Sequence, residues 1–159
     1  MILVTLGTIS YPFDRVIEWV DVLMREELIR SPIFVQYGVS NVDQLQGNTK
    51  LILQPFVDAS QFLELIEQAD LVISHAGQGT TRLLASRGAR FLLIPRLKKY
   101  GEHVDDHQYL FCQTVQTLGI EYCLTLQDLK QALQVPPLQP PKNLFEGPKL
   151  ADYLQKAYP

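Results

Sequence analysis

Cysteine is scarce: Cys112 and Cys123 are the only two, with no C-x-x-C pair. That excludes a disulfide framework and a zinc cluster as organising devices. No apolar run approaches the roughly 18 to 20 residues that span a bilayer, and the opening MILVTLG lacks a basic leader. The expectation is therefore a cytoplasmic chain that does not anchor itself. A positive balance is also missing, since the net charge is -3. Nucleic acid is thus not an expected partner, and any anion site must be local. G-x-G-x-x-G is absent because the first apolar run continues into GTISYP, which removes the main support for an NAD-type enzyme. G-x-S-x-G is absent too, and Ser74 closes a strand-like run, so a serine hydrolase is set aside.

What is present is one domain's worth of chain, 159 residues with 47% hydrophobic and 19% charged content, enough to bury a core. Short continuous apolar runs recur as ILVTLG, IFVQYG, LILQPFV, LVIS and FLLIP. This is the signature of strands buried on both faces. Between them lie segments of helical periodicity: Val16 to Met24 with Asp14 as cap, Phe62 to Ile66 with Ser60 as cap, TTRLLAS, and VDDHQYLFCQTVQTLG. IEYCL reads as a short edge strand and LQDLKQAL as a short helix. The alternation predicts an α/β fold, a Rossmann-like parallel sheet with helices on both faces, over residues 1–134. Residues 135–148 read as a Pro-rich linker and 149–159 as a C-terminal helix.

Ligands of such sheets bind at the carboxyl ends of the strands, where helix N-termini offer unpaired N–H groups. Three segments fall there: GTIS, SHAGQGTT and PRLKKYGEHVDDHQ. Gly77 and Gly79 permit a tight turn, with Thr80 and Thr81 adding hydroxyls near a helix start, which suits a diphosphate. An ordinary strand-to-helix turn has the same pattern. His75 is either a donor to a phosphate or sugar oxygen or a histidine satisfied by backbone. Arg96, Lys98, Lys99 and His103 beside Glu102, Asp105 and Asp106 make either a binding loop or a solvated one. The acidic residues match no established metal spacing, so no metal is expected.

Taken together, VTLGT with PFDR, ISHAGQGT and IPRLKKYGEHVDDHQ resemble the C-terminal domain of family 28 glycosyltransferases over roughly residues 1 to 133. More narrowly, they resemble the stand-alone PssE-type exopolysaccharide subunits and the catalytic subunit of dolichol-linked chitobiose synthase. The resemblance implies the donor half of a GT-B enzyme, using a UDP-sugar as substrate and no other cofactor. It implies that Gly7, Thr8, His75, Gly77, Gly79 and Thr80 form the nucleotide site and that His107 and Gln108 reach the donor sugar. Arg96 or Lys98 would then lie near the phosphates, adding charge to stabilise the leaving group. It further implies a membrane-anchored acceptor-lobe subunit of PssD type, which would supply the general base, recruit the chain to the cytoplasmic face and present a lipid-linked saccharide acceptor. One departure stands out. Related sequences place a ribose-binding glutamate where this chain has Leu83, which leaves a non-catalytic stimulatory subunit as the alternative.

Overall fold

The computed structural model describes residues 1–147, so the expected C-terminal helix at 149–159 lies outside the described residues. The apolar runs become five strands: β1 (Ile2–Thr5), β2 (Ile33–Gln36), β3 (Leu51–Gln54), β4 (Leu71–His75) and β5 (Phe91–Ile94). They form one parallel sheet in the order β3-β2-β1-β4-β5. The helices are α1 (Asp14–Arg25), α2 (Ala59–Gln68), α3 (Gln78–Ser86), α4 (His107–Gln116) and α5 (Leu126–Gln134).

Strand residues alternate between faces, so each strand contributes to two apolar clusters. Ile2, Val4, Ile33, Val35, Ile73 and Leu92 pack with α1 and α5, through Val16, Val20, Leu23 and Leu129. Leu3, Phe34, Val72, Phe91 and Leu93 pack on the opposite side with α2, α3 and α4, through Ile66, Leu84, Ala85 and Val115. This explains why the strands read as unbroken apolar runs: a parallel strand covered on both faces has no solvent side. Cys112 and Cys123 are buried in opposite clusters. Burial, first of all, pushes both thiols up to about 12, so neither is a nucleophile near neutral pH.

The sheet turns polar in one register row. Gln54 pairs with Gln36, Gln36 with Thr5, and Thr5 with Ser74, so four neighbouring strands change character at their carboxyl ends together. β1 and β4 are adjacent, yet the chain leaves β1 for α1 on one face and β4 for α3 on the other. Strand order reverses between them, which opens the crevice where open α/β sheets bind ligands.

Local details differ from the sequence reading. The N-cap of α1 is Phe13, and Asp14 instead accepts the amide of Asn41 at 2.8 Å. Asp58, not Ser60, caps α2: its Oδ1 accepts from Gln61 N at 2.8 Å and from Ser60 Oγ at 2.6 Å. IEYCL shrinks to a single parallel bridge between Leu93 and Tyr122. The chain turns away there because Asp128 Oδ2 takes the amides of Leu124 and Thr125, closing a capping box that starts α5. α4 begins at His107, later than the periodicity predicts, because Asp105 and Asp106 use their carboxylates on the amides of His107 and Lys98.

Residues beyond α5 do not run free. Leu144 and Phe145 pack against the cluster under α3, Arg82 lies over the Phe145 ring at 5.6 Å, and Gln139 Nε2 donates to the carbonyl of Gly88. The proline-rich stretch thus passes from the α5 face to the α3 face as a packed strap. Among the described residues, no helix is long and apolar enough to cross a membrane.

Candidate functional site: a cavity at the strand-order reversal

A cavity of about 350 Å³ opens at the carboxyl ends of the strands, lined from four places in the chain. Gly7, Thr8 and Ile9 follow β1, Gln36 ends β2, Val57 and Asp58 lie between β3 and α2 with Ala59 and Phe62 in the first turn of α2, and His75 and Thr80 flank the β4–α3 turn. Of the residues expected at the nucleotide, the structure brings Gly7, Thr8, His75 and Thr80 to this cavity.

Gln36 was not foreseen, although it organises the floor. Buried at 3% exposure, its Oε1 accepts from Thr5 Oγ1 at 2.8 Å and from Gly7 N at 3.2 Å, while Nε2 donates to Gly7 O and Pro55 O, each at 2.9 Å. Both polar atoms of the side chain are used, and both peptide groups of Gly7 are held. A buried amide satisfied in this way is stabilising, and leaving one partner bare costs on the order of 1–3 kcal/mol. The Gly7 amide is consequently unavailable to a ligand, whereas the next turn residue, Thr8, lines the cavity. The signal was present in the sequence as a polar residue closing the apolar run IFVQ.

His75 is wedged between the two glycine-bearing turns. A Cβ on Gly7 would sit 2.8 Å from Nε2 of the ring, and a Cβ on Gly77 only 2.4 Å from it. Gly7 also has a φ of +78°, which a side chain would strain. These glycines make room for the imidazole. Desolvation, reinforced by the Arg96 charge, lowers the His75 pKa to about 4, against a smaller opposing contribution from the Thr5 carbonyl. The ring is neutral near pH 7, and Nδ1 lies 3.3 Å from Thr5 O. Nδ1–H donating there leaves Nε2 as an acceptor.

Gly79 has a different place from that expected. It lies inside the first turn of α3, has ordinary helical geometry, and nothing stands within 4 Å of a Cβ added to it. Gly77 is the N-cap and provides no side-chain cap, and Thr81, fully buried, donates its hydroxyl to Gly77 O at 2.9 Å. The first-turn amides of α3, up to Thr80, therefore have no side-chain acceptor among the described residues and carry the partial positive charge of a helix N-terminus beside the cavity.

The charged loop behaves otherwise. Arg96, expected beside phosphates, is 1% exposed, and its guanidinium donates to the carbonyls of Leu6 at 2.7 Å, Tyr11 at 2.8 Å, Glu102 at 3.1 Å and Pro12 at 3.3 Å. Burial, partly offset by Glu102, lowers its pKa to about 10, so it stays charged at neutral pH. Glu102 is itself buried, accepts both Nε and Nη2 of Arg15 at 2.8 and 2.9 Å, and takes the amide of Leu97. Arg15 in turn donates to Pro95 O and lies over the Trp19 and Tyr100 rings. This ion network ties the β1–α1 loop to the loop after β5. Lys98 is exposed on a short 3-10 turn (Lys98–Tyr100) outside the cavity lining.

His107 and Gln108 stand at the start of α4 and do not line the cavity. Gln108 Oε1 accepts the Arg96 amide at 3.1 Å. Asp105 bridges two imidazoles, with Oδ1 3.0 Å from His103 Nδ1 and Oδ2 2.6 Å from His107 Nδ1. Bonds from His107 hold the Asp105 carboxyl below its ordinary range.

The model of the glycosyltransferase family 28 C-terminal domain matches residues 1–151. The chain belongs to this family. The family match carries past residue 133, where the sequence resemblance was expected to end, and takes in the packed strap. Among curated proteins, a UDP-N-acetylglucosamine--N-acetylmuramyl-(pentapeptide) pyrophosphoryl-undecaprenol N-acetylglucosamine transferase of Polaromonas sp. is 28% identical over 115 residues, 69% of this chain and 28% of the relative. The chain thus spans little more than a quarter of that curated relative. The solved MurG of Acinetobacter baumannii superposes with a TM-score of 0.58 at 23% identity, covering 83% of this chain and 40% of that one. The solution structure of ALG13 gives 0.59 at 19% identity and covers 91% of this chain and 92% of that one. At these identities the structural likeness speaks for the fold, which is that of the C-terminal half of a GT-B glycosyltransferase.

Proposed function

We propose that this family 28 chain binds the UDP-sugar donor of an inverting glycosyltransferase and transfers the sugar, together with an acceptor lobe, to a lipid-linked saccharide. The observation that carries the reading is the cavity at the strand-order reversal, where Thr8 and the uncapped start of α3 face the same space. Such a site favours a diphosphate without any fixed cation. As the bond from the anomeric carbon to phosphate breaks, charge grows on the departing UDP, and preoriented amides stabilise it there. Arg96 contributes by fixing the β1–α1 loop, since its Nη1 and Nη2 groups donate to the carbonyls of Tyr11, Pro12 and Leu6.

The choice of UDP and of a lipid-linked acceptor rests on the name of the Polaromonas relative, which combines a UDP-sugar with a pyrophosphoryl-undecaprenol acceptor. A membrane-bound acceptor lobe of PssD type, at the cytoplasmic face, is the proposed partner, in exopolysaccharide or related surface-glycan synthesis. Isothermal calorimetry of the chain with UDP, alone and with that lobe, tests the reading. Expected is binding that His75→Ala weakens by about tenfold or more, because the ring holds the Gly7 and Gly77 turns apart and its Nε2 is an acceptor for a hydroxyl of the donor. Absence of UDP binding in both settings refutes it.

A second reading has one observation in its favour. Leu83 is half-buried against the cluster beneath α3 and offers no acceptor to a ribose. The chain would then be a stimulatory subunit, and transfer by the assembled complex would survive His75→Ala.

A further inference from the structure

Asp58 is the sole carboxylate among the described residues that line the cavity. Its two hydrogen bonds, from Gln61 N and Ser60 Oγ, both fall on Oδ1. Oδ2 has no partner among the described residues, and no cation pairs with the group. The side chain is ionised near neutral pH, because the bond from the Gln61 amide, then that from Ser60, lowers its pKa. Capping α2 therefore occupies half of the carboxylate and fixes its direction, while the other half remains an unused acceptor at the cavity wall.

Position adds a constraint. Asp58 follows β3 and Thr80 follows β4, and the sheet order places β2 and β1 between them. Three strand spacings of about 4.8 Å separate the two flanks. One flank offers amide donors at the uncapped start of α3, which attract an anion. The other offers an anion, which repels one and accepts from hydroxyl groups. Val57, Ile9 and Phe62 supply apolar wall beside it. A ligand that fits both flanks is negative at one end and carries vicinal hydroxyls toward the other. In doubly wound folds an acidic side chain commonly takes the ribose 2′-hydroxyl for the same reason.

We propose that Asp58 accepts hydrogen bonds from the ribose diol of the nucleoside diphosphate and so sets the direction in which the donor lies in the cavity. This rests on the nucleotide reading above. Leu83 on α3 then has no ribose contact to make, and the acceptor stands at the N-cap of α2 instead.

The test compares calorimetric binding of UDP and 2′-deoxy-UDP to the full chain and to two variants, Asp58→Asn and Asp58→Ser. Both replacements retain an oxygen for the Gln61 amide, so α2 keeps its cap. The unaltered chain is expected to bind 2′-deoxy-UDP roughly 10- to 100-fold more weakly than UDP. Asp58→Asn, which presents an N–H₂ where Oδ2 stood, is expected to lose a similar factor for UDP and to treat the two ligands alike. Equal binding of both ligands by the unaltered chain, or full discrimination retained by Asp58→Asn and Asp58→Ser, overturns the inference while leaving the nucleotide site in place. No binding of UDP by the unaltered chain overturns both.

Discussion

The turn after β4 and the loop after β5 stand side by side at the carboxyl end of the sheet, yet they use their residues in opposite ways. The first is nearly neutral and small, and it lines the cavity through His75 and Thr80. The second is rich in charge, and two of its charged members face inward: Arg96 and Glu102, with Arg15 from α1, bond seven backbone groups between them, and Arg15 pairs with the Glu102 carboxylate. In sequence, each segment reads as either a ligand site or an ordinary loop. Structure separates them, because the turn after β4 lines the cavity while the charged loop is built around a buried ion network, which needs particular residues as strictly as a ligand does.

That contrast can be tested at its strongest point by Arg96→Met. Removing the guanidinium strands the carbonyls of Leu6 and Tyr11 and leaves the Glu102 backbone without its donor. The expected loss of unfolding free energy in urea is about 3–5 kcal/mol. A change below about 1 kcal/mol would mean that the loop is held by its apolar contacts and not by charge.

Acid provides the next test. The His75 pKa lies near 4 in the folded chain, below the ordinary value of about 6.5 in an unfolded one. Above about pH 6.5 both states are neutral and nothing is lost. As pH falls from there toward 4, only the unfolded chain gains the proton, so folding loses on the order of 3 kcal/mol, and below 4 the loss is constant. Urea titrations at several pH values should show this slope in the original chain and its disappearance in His75→Gln. An unchanged slope in the variant would assign it to another group.

The smallest effects separate two glycines only two residues apart. Gly77→Ala sets a Cβ at 2.4 Å from His75 Nε2, and the displaced ring should cost about 1–3 kcal/mol. Gly79→Ala meets no atom within 4 Å and sits in a helix turn, where alanine should add about 0.5–1 kcal/mol. Thermal melts of the pair decide the matter, and equal shifts would contradict the wedged position of the imidazole.

Much of the fold was legible because burial on both faces leaves a simple trace: ILVT, IFVQ, LVIS and FLLI can hardly be anything else once helical segments alternate with them. Capping was harder to read. Asp58 and Ser60 are both good caps, and only the backbone shows which one meets Gln61 N. In the candidate site, Gly77 was legible as a turn glycine but not as clearance for His75, since the ring is also wedged against Gly7, which follows another strand. Arg96 and Glu102 were misplaced for a related reason. Spacing records that charges cluster, whereas their burial depends on Arg15, far away along the chain.

The polar row across Gln54, Gln36, Thr5 and Ser74 carries one more consequence, for how the sheet assembles. Parallel apolar strands are nearly interchangeable along their length, and a slip by one residue would exchange the faces. A row with hydrogen-bonding groups at one end makes the slip costly, because Gln36 would meet leucine or valine in place of Thr5. The residues that floor the cavity thereby act as an alignment mark for the strands, and forming the pocket and choosing the register become a single event.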